Sequence, residues 1–147
     1  MVYQWKSGSR HTTDPQIAGD ICKRLEAEGR LTAKELLEES RPKNAPLHNE
    51  FEWNDGVAAE NWREQQARNI INSLVVCPEK TEPVRGFFKI SNAEKNYRAV
   101  ETILQSSDST QKLLDIAKAE LWAIRKKYGT LQALSEVWAA IDGARNN

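Results

Sequence analysis

The chain has 147 residues, 29% of them charged and 39% hydrophobic, and its 21 Lys plus Arg are balanced by 21 Asp plus Glu. That length suits one domain with a proper core and no need of disulfides, and the composition excludes an intrinsically disordered chain. A zero sum also sets it apart from strongly basic nucleic-acid-binding proteins, although it leaves room for a local basic face. Cys22 and Cys77 lie in separate segments without metal-type spacing and are expected as free thiols in a reducing compartment. Residues 1–10 hold Lys6 and Arg10 with no apolar run behind them, unlike a signal peptide. No apolar stretch has the length of a bilayer span, so a cytoplasmic protein without membrane association is expected.

The elements are punctuated from the start. Asp14 suits a helix cap and Pro15 the first helical position. Ile17, Ile21 and Leu25 then recur along one face, and Gly29 offers the left-handed stop. Thr32-Ala33-Lys34-Glu35 is a capping box, with Leu31 and Leu36 at the two positions of a hydrophobic staple. Residues 41–55 contain Pro42 and Pro46, which favour loop, but also Leu47, Phe51 and Trp53, which predict a segment packed down as a lid or short helix. A third helix is expected from about Asn54 to Leu74, with Ala59, Trp62, Ala67, Ile70, Ile71 and Leu74 inward and Arg63 among the outer residues.

Val75 to Cys77 and Val84 to Ile90 read as strands of a short β-hairpin lying on the helices. Ser91-Asn92-Ala93-Glu94 reads as a second capping box, opening a helix with Tyr97, Val100, Ile103 and Leu104 inward, and a break follows at Gln105 to Ser109. Leu113, Leu114, Ala117, Leu121, Ile124 and Tyr128 mark one long helix ending at Gly129. Thr130 then caps a last helix carrying Leu131, Leu134, Val137, Trp138 and Ile141. The expected fold is mainly α with minor β: a single domain over 1–147, divided into an N-terminal arm (1–13), a helix-turn-helix-like unit (14–53), a helix plus β-hairpin (54–92) and C-terminal helices (93–147) forming an antiparallel hairpin.

Chemistry-bearing patterns are few. His11, His48, Cys22 and Cys77 could supply four zinc ligands, but none is paired at short spacing, so no metal is expected. No nucleophile elbow surrounds a serine, and the glycines form neither a Walker nor a dinucleotide fingerprint. No catalytic residue, cofactor or small-molecule substrate is therefore assigned, and the chain is expected not to be an enzyme. The paired N-terminal helices read as the opening of a helix-turn-helix or winged-helix module, with Asn44 to Glu52 as its third helix and the later hairpin as a wing. Lys6, Arg10, Arg30, Lys34, Arg41 and Lys43 would then face phosphates, and Asn44 or His48 would approach bases. Glu35, Glu38, Glu39 and Glu50 beside them would oppose that contact. Arg125-Lys126-Lys127 is read as a favourable charge at a helix C-terminus. Among the aromatic residues, Trp5, Trp53 and Trp122 are the interface candidates, toward a protein partner or a second copy in a homo-oligomer.

Trp5-Lys6-x-Gly8-x-Arg10, Gly29-Arg30-Leu31-Thr32, and Ala45-Pro46-Leu47-His48-x-x-Phe51-Glu52-Trp53 form one set of motifs. Ala58-Ala59-x-x-Trp62-Arg63-x-x-Gln66-Ala67-Arg68, Lys127-Tyr128-x-x-Leu131-x-x-Leu134 and Ala140-Ile141-Asp142 continue it. Through these the chain resembles a family of small proteins encoded in bacterial prophages and related mobile elements. The resemblance implies a phage or mobile-element setting and carries no catalytic residue with it. The expected role is a non-enzymatic accessory protein that binds DNA or a protein–DNA assembly. The rival expectation is a protein–protein module, either a structural or assembly component or an inhibitor of a host factor.

Overall fold

The computed structural model describes residues 1–55, 59–79, 81–91 and 93–146. It is mainly α with two small antiparallel sheets, and the chain divides into two compact units, Met1–Thr102 and Ile103–Asn147. The division expected at 92/93 thus falls inside the first unit. No helix among the described residues is long and apolar enough to cross a membrane.

In the first unit, β1 (Tyr3–Trp5) precedes α1 (Pro15–Ala27) and α2 (Ala33–Ser40). The Asp14 carboxylate accepts from the Gln16 N–H at 2.7 Å, and Pro15 opens α1. The far end closes in a Schellman arrangement: Arg30 N–H donates to the Leu25 carbonyl and Gly29 N–H to that of Glu26, with Gly29 at φ +70°. Thr32 Oγ1 accepts from Glu35 N–H at 3.0 Å, and the stapling residues Leu31 and Leu36 are both buried. These caps act over a few residues, so they form wherever the local sequence carries them.

The connector packs down as expected, burying Leu47 and Phe51, but only His48–Glu50 winds into a 3₁₀ turn. The third helix expected at Asn44 to Glu52 is therefore absent. The third long element is α3 (Ala59–Ser73), which packs on α2. Its predicted start lies partly in 56–58, outside the described residues, and Asn54 and Asp55 are not helical. Trp62, expected inward, is 53% exposed, and its neighbour Arg63 is the buried one at 4%. The inversion has a local cause: the Arg63 guanidinium donates to the carbonyls of Glu52 and Asn54 and pairs with Asp55 and Glu60. A buried charge is tolerated where its donors are taken up in this way.

The hairpin forms from β2 (Leu74–Val76) and β3 (Val84–Arg85), the expected strand over Val84 to Ile90 being broken at Gly86, and β1 adds to its other edge in the order β1-β2-β3. Residues 3–5 of the expected arm are thus a strand folded back onto the domain. α1 covers this sheet, and Gly19 lies so close to the Tyr3 ring that a Cβ there would overlap it. The helix expected after residue 91 does not start there. Asn92 lies outside the described residues, and Ser91 Oγ accepts from Ala93 N–H instead. Glu94 holds Arg98, while β5 (Arg98–Ala99) pairs with β4 (Phe87–Phe88). Only α4 (Val100–Leu104) is helical, and Leu104 is exposed rather than inward. Ile17 is likewise exposed, since α1 turns Ala18, Cys22 and Leu25 to the core.

The second unit is an antiparallel helical hairpin. α5 (Ser107–Tyr128) starts inside the expected break, capped by Ser106 Oγ, and α6 (Ser135–Arg145) follows a 3₁₀ turn at Gln132–Leu134. Thr130 is therefore not the cap of the last helix. The contacts run in opposite directions along the two helices: the Arg145 guanidinium lies 3.8 Å from the Trp122 ring, Arg125 pairs with Asp142, and Trp138 Nε1 donates to the Leu131 carbonyl. Trp138 and Ile141 are buried, but the residues expected inward on α5 are not.

Candidate nucleic-acid interface

α3 presents two sharply different faces. Arg63, Ala67, Ile70 and Ile71 are buried, and at 100° per residue the opposite face falls on Asn61, Gln65, Asn69 and Asn72. All four are exposed amides. They are partly tied together: Gln65 Nε2 donates to Asn69 Oδ1 at 3.0 Å, and Arg85 from β3 donates to Asn72 Oδ1. An amide carries donors and an acceptor side by side, the pattern that matches the donor and acceptor edge of adenine in the major groove.

A cleft lies on each side of this ridge. One, of about 600 Å³, is lined by Ser9, Arg10, His11 and Glu50 together with Trp62, Gln66, Asn69 and Ser73 of α3. Its outer wall is rigidly held. The Glu50 carboxylate accepts from the Thr12 and Thr13 N–H groups at 2.8 and 2.7 Å and meets His11 Nδ1 at 3.1 Å, while His11 stacks on Trp5. Burial opposes ionisation of Glu50, but the hydrogen bonds from Thr13, Thr12 and His11 outweigh it and hold the carboxyl below its ordinary value. The exposed Arg10 and the Trp62 ring are left facing outward.

The second cleft, of about 300 Å³, lies at the N-terminus of α2. It is lined by Thr32, Ala33 and Lys34, by Glu64 and Arg68 of α3, and by Lys89 and Lys95. Four cations thus surround one carboxylate, beside the positive end of a helix. The acidic residues of α3 are themselves engaged: Glu60 by Arg41 at 2.6 Å and Arg63 at 3.0 Å, Glu64 by Arg68 at 3.5 Å.

The cations and polar residues singled out from sequence separate into two groups. Arg10 and Lys34 line the two clefts, and the Lys6 backbone bonds to Ser73 at the end of α3. Arg30 is held by Glu28 and Glu35, and Arg41 by Glu38 and Glu60. Lys43 and Asn44 are exposed on the connector. His48 is half-buried, stacked on Trp53 at 4.7 Å with Nδ1 3.0 Å from the Ser40 carbonyl. The tryptophans named as interface candidates all have internal contacts. Trp5 Nε1 donates to the Thr13 carbonyl, Trp53 Nε1 to that of His48, and Trp122 lies under Arg145. Gln65, Asn69, Asn72, Arg68, Lys89 and Lys95 were not anticipated. The recurrence of amides at 61, 65, 69 and 72 was the signal that could have found them.

No protein-family model, characterised protein or solved structure is found to match the chain.

Proposed function

We propose that the chain binds duplex DNA, with α3 as the element that enters the major groove. The observation that carries this reading is the row of exposed amides flanked on both sides by cation-bearing clefts. In this arrangement Lys34, Lys89, Lys95 and Arg68 meet the phosphates on one side and Arg10 on the other, which fixes register without reading sequence. Gln65 and Asn69 then reach base edges, each bidentate amide–adenine pair contributing roughly 1–3 kcal/mol of discrimination. The β2–β3 hairpin, which anchors Asn72 through Arg85, stands at the end of α3 as a wing. The reading differs from the one drawn from the sequence in moving the groove-facing helix from residues 44–52 to 59–73. A mobile-element setting, implied by the resemblance above, suits a DNA-binding accessory role of this kind.

Fluorescence anisotropy of the full chain against labelled duplexes at low ionic strength tests it. Affinity should fall with salt, and Lys34→Glu or Lys95→Glu should weaken every duplex alike and lower the salt slope by about one each. Gln65→Ala should instead flatten preference between A·T-rich and G·C-rich sites. The absence of any salt-dependent binding sinks the reading.

A further inference from the structure

The long helix α5 turns an ordered apolar row to solvent. Leu114, Ala117, Leu121, Ile124 and Tyr128 follow one another at alternating steps of three and four, the spacing of a coiled-coil seam. Leu114, Leu121, Ile124 and Tyr128 are 41–46% exposed, and Ala117 is exposed with them. Such a row is built to receive another helix, because knobs at that spacing interdigitate only with a matching row. The hairpin does not provide it. α6 lies along an adjacent flank of α5, where it meets Trp122 and Arg125.

We infer that the occupant is a second copy of this chain, with the two α5 helices packed antiparallel about a two-fold axis near residues 122–123. Two features select the partner and its direction. In that register Leu121 faces Ile124 of the other copy and Ala117 faces Tyr128, so the smallest side chain meets the largest in two symmetric layers. A parallel pair would set Ala117 against Ala117 and Tyr128 against Tyr128, leaving one layer hollow and one crowded. The open flank of the seam, opposite the one held by α6, carries Glu120 and Lys127, both exposed. The antiparallel register sets each Glu120 against the other copy's Lys127, giving two reciprocal ion pairs in a self-complementary interface. A contact of this size belongs to the small class, below about 1,200 Å², and gives a dissociation constant on the order of micromolar.

Sedimentation velocity of the full chain over a dilution series measures it. A monomer–dimer equilibrium is expected, and Leu121→Glu should abolish the dimer while leaving the helical circular dichroism unchanged. Glu120→Lys and Lys127→Glu should each weaken the dimer about tenfold, since one substitution reverses both symmetric pairs, and the double substitution should restore it. A strict monomer at the highest soluble concentration overturns the inference. So does a dimer that Leu121→Glu leaves intact, or one in which the two charge reversals fail to rescue each other.

Discussion

The helices α3 and α5 carry the same kind of amphipathic pattern and put it to opposite uses. In α3 the apolar stripe is covered by the core and the polar face is presented; in α5 the apolar stripe is the exposed face. A periodic sequence states which residues share a face, and says nothing of what covers that face. Coverage is decided by what else the chain brings near. α3 has α2 and β2 against it, whereas within its own unit α5 is lined along one flank by the short α6.

Truncation gives the largest contrast between the two situations. Leu36→Ala in the buried staple should cost about 2–5 kcal/mol in denaturant unfolding, and Leu121→Ala, at a concentration where the chain is monomeric, under about 0.5 kcal/mol. Equal losses would mean that the α5 row is already covered within one chain. Gly19→Ala comes next: the added methyl must displace the Tyr3 ring and with it β1, a cost of about 1–3 kcal/mol on the overpacking scale. A neutral effect would show that β1 is not docked on α1. Smaller still is Glu50→Gln, at about 1–2 kcal/mol near neutral pH, from weakening charge-assisted bonds to Thr12 and Thr13. Because folding lowers the Glu50 pKa from 4.5, its contribution is full above that pH and is lost as pH falls through the folded value. The variant should therefore show less acid-induced loss than the parent, and parallel pH profiles would exclude Glu50 as a source of it.

What could be read in advance was what is local. The caps at Asp14 and Thr32 and the stop at Gly29 involve neighbours in sequence, so their chemistry was complete in the string. β1 was missed because its partner is Val76 and its neighbours, far along the chain. The Ser91–Glu94 box misled because its residues had better partners: Glu94 found Arg98, and Arg98–Ala99 found Phe87–Phe88. For the candidate interface, Arg10 and Lys34 were visible among the cations expected to face phosphates, while the amides of α3 looked like any solvated helix face. Their significance lies in the clefts on either side, which only the fold assembles.

The pairing of Tyr3 with Val76 also governs the order in which the molecule can be completed. During synthesis the first strand leaves the ribosome early, yet its hydrogen-bonding edge stays unmatched until α3 and β2 have followed. α1 and α2, with their self-contained caps, can form meanwhile. The sheet must close a loop of just under half the chain, the kind of distant contact that slows folding. Until then an open strand edge and the ring of Tyr3 stand exposed, and a ribosome paused before residue 76 would hold the chain with that aggregation-prone edge unmatched.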